Sequence, residues 1–216
     1  MVKQLLMQDL IVTRYSKTMT AIKLKDNDEL VSVNFSKDNT VIITNNGYYL
    51  TYETKEIPVV GPKASGVKGI KLTDDTVVFG GCFNNEDEYL NIFTNNFTAK
   101  RVKLSDLKPI SRAKKGNQIL KKTKTVTYLV EYAYITNSKD IILIKSDSEI
   151  KEVKNSEISI MDVTSTGSSI GKGHVDKIDL KTDLVKIEYK EEKKEEIKSK
   201  VEKQVSFEDF TKDFKI

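Results

Sequence analysis

The chain has 216 residues, 36 Lys and Arg against 32 Asp and Glu, a net charge of +4, one cysteine, one histidine and no tryptophan. A single cysteine excludes an internal disulfide, and one Cys with one His excludes a zinc site of ordinary ligand spacing. No apolar run approaches ~18 residues and the N-terminus lacks the charged-then-apolar pattern of a signal peptide, so no membrane contact is expected and the location expected is cytoplasmic.

In chain order, residues 1–12 read as a strand carrying Leu5, Met7 and Leu10. A polar loop from Thr13 to Thr20 follows, then two strand pieces over 21–35 around an Asp26-Asn27-Asp28 turn. Residues 40–52 hold two β-rich runs about the turn Asn45-Asn46-Gly47, which is a hairpin signal. Lys55-Glu56-Ile57-Pro58 predicts a short helical turn ended by proline. A loop rich in Gly, Lys and Ser runs from Gly61 to Gly69, and an Asp74-Asp75 turn leads to a strand over 76–83. Cys82 in that strand reads as a small buried hydrophobe. Glu86-Asp87-Glu88 reads as a solvated loop.

The pattern then returns. A hairpin is predicted over 89–103, a short turn at Ser105-Asp106-Leu107-Lys108-Pro109, a basic loop from Ile110 to Gln118 and strand over 125–135. It returns more worn over 140–153, with a third loop from Thr164 to Gly173 and strand over 174–187. The period of ~45–50 residues, built from hairpins, predicts an all-β, propeller-like array of about four blades, the first incomplete because its leading hairpin is missing. After Tyr189 the composition changes. Residues 190–216 carry eight Lys and eight Asp or Glu, so the whole of the +4 lies on residues 1–189. This tail reads as a frayed helix or disordered segment, and its stretch with Phe207, Phe210 and Phe214 at helical spacing reads as packing weakly or not at all, with a short docking motif as the alternative. The domain boundaries expected are therefore 1–188 for the array and 189–216 for the tail.

Catalytic chemistry finds no support in these residues. Gly167 to Gly173 falls one residue short of a phosphate loop, and no Ser or Thr follows Lys172 to hold Mg²⁺. A Ser-His-Asp triad would need His174, and no Gly-x-Ser-x-Gly elbow is present. The informative set is the basic loops, with Arg14, Lys17, Lys63, Lys68, Lys100, Arg101, Lys103, Arg112, Lys114, Lys115, Lys121, Lys122, Lys124 and Lys172 as candidates. Blades stacked side by side would line these loops along one rim. Lys and Arg interspersed with Gly and Ser suit the phosphate backbone of duplex DNA and read no base sequence. A protein-interaction module without DNA binding is the alternative.

Thr13 to Val33, Thr44-Asn45-Asn46-Gly47-Tyr48 with Val59 to Ile70, and Leu104-Ser105-Asp106-Leu107 with Ser111 to Gly116 together resemble the C-terminal domain found in the A subunits of bacterial DNA topoisomerase IV, in its Firmicutes-type form. The resemblance covers residues ~3–180. It implies a β-pinwheel, a propeller relative whose blades exchange strands, with a basic rim that binds and bends duplex DNA and so assists decatenation and supercoil relaxation. On this resemblance the DNA-contacting set is Arg14, Lys17, Lys63, Lys68, Arg101, Lys103, Arg112, Lys114, Lys115 and Lys172. The Gln-Arg-Arg-Gly-Gly-Lys-Gly box of gyrase has no counterpart, which argues against gyrase-style wrapping. The breakage-reunion region with its nucleophilic tyrosine, and the first blades, have no counterpart in these residues either. The resemblance thus implies no enzyme activity and no cofactor for this chain alone. Its partners would be the remaining domains of a topoisomerase IV polypeptide and the separate ATPase polypeptide of that enzyme, and ATP and Mg²⁺ would be used there.

Overall fold

In the computed structural model, residues 1–11, 16, 18–146, 149–171 and 175–181 are described. The tail from Thr182 lies outside them, as do Arg14, Lys17, Lys172 and His174.

Two hairpins open the ordered repeat. Strands β1 (Asn39–Thr44) and β2 (Tyr48–Glu53) form the first, and β4 (Tyr89–Thr94) and β5 (Thr98–Lys103) the second. A third joins β8 (Ile141–Ser146) to β9 (Glu149–Lys154). The first turn places Gly47 at φ +77°, and Phe97 holds the same left-handed region in the second at φ +53°. One 3₁₀ turn follows each hairpin, at Thr54–Glu56, Leu104–Asp106 and Asn155–Glu157.

Each sheet is completed from further along the chain. β3 (Val77–Phe83) pairs antiparallel with β1, β7 (Val130–Thr136) with β4, and β11 (Lys177–Leu180) with β8. The outer edges are closed from further still. β6 (Asn117–Gln118) pairs with Tyr48 and Tyr49 of β2, and β10 (Ser168–Ser169) pairs with Thr98 and Ala99 of β5. Val67 makes the equivalent bridge to Val2. The sheets therefore run β3-β1-β2-β6, β7-β4-β5-β10 and β11-β8-β9. These exchanged edge strands are the pinwheel arrangement that the resemblance implies.

Packing explains why the first strand of each of the first two hairpins, β1 and β4, is buried without alternation. Val41 and Ile43 face one neighbour, in a core shared with Leu90, Ile92, Phe83 and Val130. Ile42 faces the opposite way, with Leu50, Tyr52, Ile57 and Ile70. Phe93 turns toward Ile142, Ile144 and Ile178 of the third sheet. A strand buried on both faces loses the period-two signature and reads as a continuous run.

Several expectations need correction. Of residues 1–12, the described ones, 1–11, form no strand, only single bridges at Val2 and Gln4 followed by a 3₁₀ turn over Met7–Leu10. Residues 21–35 hold no regular strand either. A strand exists by its ladder, and neither segment has a neighbour to complete one among the described residues. Cys82 is half-buried rather than buried. Asp87 is more than a solvated loop residue: its carboxylate pairs with Lys37 at 2.7 Å and accepts the Asn84 N–H at 2.9 Å.

Candidate nucleic-acid interface

The basic loops are held by backbone, not by their lysines. Each loop crosses a segment one repeat earlier, residues 2–4, β2 or β5, at a glycine with positive φ: Gly66 at +82°, Gly116 at +91° and Gly167 at +86°. A Cβ would lie 2.3 Å from the Val2 carbonyl oxygen at Gly66, 2.2 Å from that of Tyr49 at Gly116, and 2.9 Å from that of Ala99 at Gly167. Only glycine permits both the conformation and the approach.

Two ammonium groups, Lys3 half-buried and Lys100 buried, fasten the loops from beneath. Lys3 Nζ donates to the carbonyls of Pro62 at 2.8 Å and Ala64 at 2.9 Å. Lys100 occupies the equivalent place one repeat pair later and donates to Ile119, Val163 and Ser165 at 2.5, 2.6 and 2.7 Å. The corresponding residue of β2 is Leu50, which carries no charge. There the loop finds another partner: Lys71 N–H donates to the Lys114 carbonyl and Ala113 N–H to the Gly69 carbonyl, both at 2.9 Å. The first loop is thus joined to the second by backbone. The second is joined to the third through Lys100, which binds Ile119 and Val163 together.

Lys63, Lys68, Lys114 and Lys115 are exposed on the first two of these connected loops, and Lys103 is exposed at the end of β5. Arg112 is half-buried, its guanidinium donating to the Lys68 carbonyl and its amide to the Glu56 carboxylate at 3.1 Å. It ties one loop to the other. Two candidates turn inward. Arg101 is 7% exposed, donates to the carbonyls of Ile158 at 2.6 Å and Ser156 at 3.1 Å, and lies 4.7 Å from the Tyr89 ring centroid. Lys100 is 1% exposed. Both cations are consumed by internal carbonyls, so the expectation that they line the rim is corrected. Arg14, Lys17 and Lys172 lie outside the described residues.

Tyr48 had no sequence signal pointing to it. Lys115 Nζ lies 4.5 Å and Lys122 Nζ 5.5 Å from its ring centroid. Hydrogen bonds from Lys122 and then Lys115 hold its phenol below the ordinary value. The only available clue was its place directly after the Gly47 turn, which becomes informative once β6 is known to pair there.

Burial pushes the Lys100 amine down to about 7, with Asp162 pulling it back up. The unfolded chain holds this proton up to its ordinary value of 10.5, while the folded chain releases it near 7. Between those limits the unfolded state binds more protons, so raising the pH favours the folded state. The expected result is a melting temperature that rises from about pH 7 to about pH 10 relative to a Lys100→Met variant. Parallel pH profiles for the two proteins would show that Lys100 does not titrate there.

Comparison with known proteins agrees with this architecture. The family model for the DNA gyrase C-terminal domain, a β-propeller, matches residues 2–37, 38–81 and 88–125. The A subunit of DNA topoisomerase 4 from Bacillus subtilis (strain 168) is 32% identical over 158 residues, covering 72% of this chain and 20% of the relative. Its counterpart from Streptococcus pneumoniae serotype 4 is 31% identical over 176 residues, 73% of this chain and 21% of the relative. The chain therefore spans about a fifth of the length of these relatives. Among solved structures, a C-terminal domain of DNA topoisomerase IV superposes with TM-score 0.76 at 30% identity, covering 83% of this chain and 58% of that one. A DNA gyrase A C-terminal domain gives TM-score 0.64 at 22% identity, over 77% and 57%, which supports the fold alone.

Proposed function

Because this chain belongs to the family of DNA gyrase C-terminal β-propeller domains, as the C-terminal domains of topoisomerase IV A subunits do, we propose that it binds duplex DNA without sequence preference and bends it. The observation that carries this reading is the row of exposed lysines, Lys63, Lys68, Lys114 and Lys115, on two loops that hydrogen-bond directly to one another. Lys100, Arg101 and Arg112 are used internally, whereas these four point to solvent where an outside anion can reach them. Flexible ammonium groups on rigid backbone suit phosphates, which are spaced regularly and carry no base identity. Several contacts along a curved surface would favour a bent duplex.

In this reading the chain acts as a DNA-positioning surface for a type II topoisomerase in the bacterial cytoplasm, at the nucleoid. Cleavage belongs to the remaining domains of the topoisomerase IV polypeptide and ATP use to its separate ATPase polypeptide. Both are its proposed partners in decatenation and supercoil relaxation. The chain needs no cofactor of its own for this role.

The test is fluorescence anisotropy with a linear duplex of random sequence, titrated across salt. Binding should weaken steeply with salt and ignore sequence. The combined variant Lys68→Ala, Lys114→Ala, Lys115→Ala should flatten the slope of log affinity against log salt by up to about three. Its melting temperature should stay close to that of the parent, since all three side chains are exposed and only Lys115 makes a side-chain contact, with the Tyr48 ring. Absence of binding by the folded parent at low salt, or an unchanged slope in the variant, would overturn the reading.

A further inference from the structure

Three pieces of chain meet at the start of β2. Tyr48 is its first residue, Gln118 of β6 pairs across from it, and Lys115 and Gly116 lead the loop into β6. Gly116 sets the loop against the Tyr49 carbonyl, and this close crossing delivers Lys115 to the Tyr48 ring, with Nζ 4.5 Å from its centroid. Beyond β6, the buried Ile119 and Leu120 donate their amides to the Gly47 carbonyl at 2.8 and 3.3 Å. That return to the first turn brings Lys122 to the same ring, at 5.5 Å.

Two ammonium groups thus share one phenol without a counter-charge. Among the described residues no carboxylate pairs with Lys115 or Lys122. The Asp75 carboxylate reaches the same turn but accepts the Asn46 and Thr76 amides, at 2.9 and 2.8 Å. Both lysines and Gln118 are exposed and Tyr48 is half-buried, so the cluster is open to a ligand. A hydroxyl whose oxygen accepts from cations is the better donor of its own proton. Each ammonium carries three donors, more than the phenol can take up. The next repeat has the same backbone without the charges. Thr98 stands in the place of Tyr48, opposite Ser169, and Thr166 precedes Gly167 as Lys115 precedes Gly116. There the Thr98 hydroxyl simply donates to the Thr166 carbonyl at 2.5 Å. The loop crossing closes without a cation at that place, so the fold does not require the cluster.

We propose that Tyr48, Lys115 and Lys122 form one oxyanion site that holds a single phosphate of the DNA backbone. The inference rests on the DNA-binding reading and adds Tyr48 and Lys122 to it. Like charges held close together gain from an anion placed between them. A phosphodiester brings that charge with two unesterified oxygens, and hydrogen bonds from ammonium groups to such oxygens are the strong, charge-assisted kind. The other exposed lysines of the two loops are single flexible charges. Here the donors converge on a ring anchored in β2, so this phosphate has a fixed place, and the site sets where along the row of lysines the duplex is held.

The experiment is anisotropy on the full chain with the random-sequence duplex, titrated across salt. The variants are Tyr48→Phe, Lys122→Ala, the two combined, and Lys124→Ala alone and with Tyr48→Phe. Lys124 is the control, exposed on the same segment but not stacked on the ring. Tyr48→Phe should weaken binding about five- to tenfold through loss of one donor to a charged acceptor. Its salt slope should stay unchanged, because no charge is removed. Lys122→Ala should weaken binding by a similar factor and flatten the slope by about one. The combined variant should lose clearly less than the product of the two factors, because the donors act on one phosphate. The Tyr48→Phe and Lys124→Ala factors should multiply. All variants should melt with the parent. The second probe is inorganic phosphate against the duplex, read by tyrosinate absorbance as the difference between parent and Tyr48→Phe. The duplex should suppress ionisation of Tyr48 at concentrations where inorganic phosphate does not. Parent-like binding by Tyr48→Phe and Lys122→Ala, or factors that multiply between them, would overturn the inference and leave the DNA reading standing. A response of Tyr48 to inorganic phosphate but not to bound duplex would overturn it as well, since the site would then serve a free anion. Absence of duplex binding by the folded parent would remove both readings.

Discussion

Replacing Gly116 with alanine is expected to lower stability by at least about 3 kcal/mol, or roughly 6–12 °C in melting temperature for a chain of this size. Two costs combine. The backbone sits at φ +91°, a region that penalises any Cβ by about 1–2 kcal/mol. The added methyl would also lie 2.2 Å from the Tyr49 carbonyl oxygen, and that oxygen belongs to the backbone of a buried strand. It cannot swing aside as a side chain would, so β6 must lift from β2. Gly61 is the control within the same class of loop. No atom lies within 4 Å of a Cβ there and its φ is not positive, so Gly61→Ala should change stability by no more than about 0.5 kcal/mol. Thermal melts of the two variants decide the matter. Equal small effects would mean that the crossing of loop over strand is loose in solution.

Lys100→Leu is expected to cost about 3 kcal/mol while leaving DNA affinity unchanged at temperatures where the variant is folded. The loss would come from the three carbonyls of Ile119, Val163 and Ser165, deprived of their donor, each unsatisfied group costing about 1–3 kcal/mol where water cannot replace it. Size is not the obstacle, because Leu50 fills the equivalent place in β2. That loop tolerates leucine since Lys71 N–H already serves the Lys114 carbonyl. Lys3→Leu should cost less, because one of its three acceptors, Gly61, is exposed. Chemical denaturation of the two lysine variants, beside anisotropy at low temperature, separates the roles. A loss of DNA affinity in folded Lys100→Leu would return Lys100 to the rim. An unchanged denaturation midpoint would mean that water replaces the ammonium.

The local elements were legible because their causes are local. A hairpin is written in consecutive residues, two β-rich runs about Asn-Asn-Gly, and its recurrence gave the array without any contact information. The 3₁₀ turns at Thr54–Glu56 and Leu104–Asp106 were legible for the same reason, through the prolines at 58 and 109. The family resemblance was legible because loop and turn residues recur in order along the chain.

The exchanged edges were not. β6 and β10 are two residues long and pair with residues about seventy positions earlier, so no run of sequence marks them. The reading of residues 1–12 and 21–35 as strands failed for the complementary reason. Their composition suits a strand, but a ladder needs a neighbour that composition cannot supply. The candidate site divides along the same line. Sequence read the lysines as a set of loop cations, yet Lys100 and Lys103 lie three residues apart on one strand, one buried beneath a loop and the other in solvent. Residue type and local pattern are fixed by the chain in order. Whether a given cation meets carbonyl oxygens or water is fixed by segments that arrive from distant positions, and only their packing can settle it.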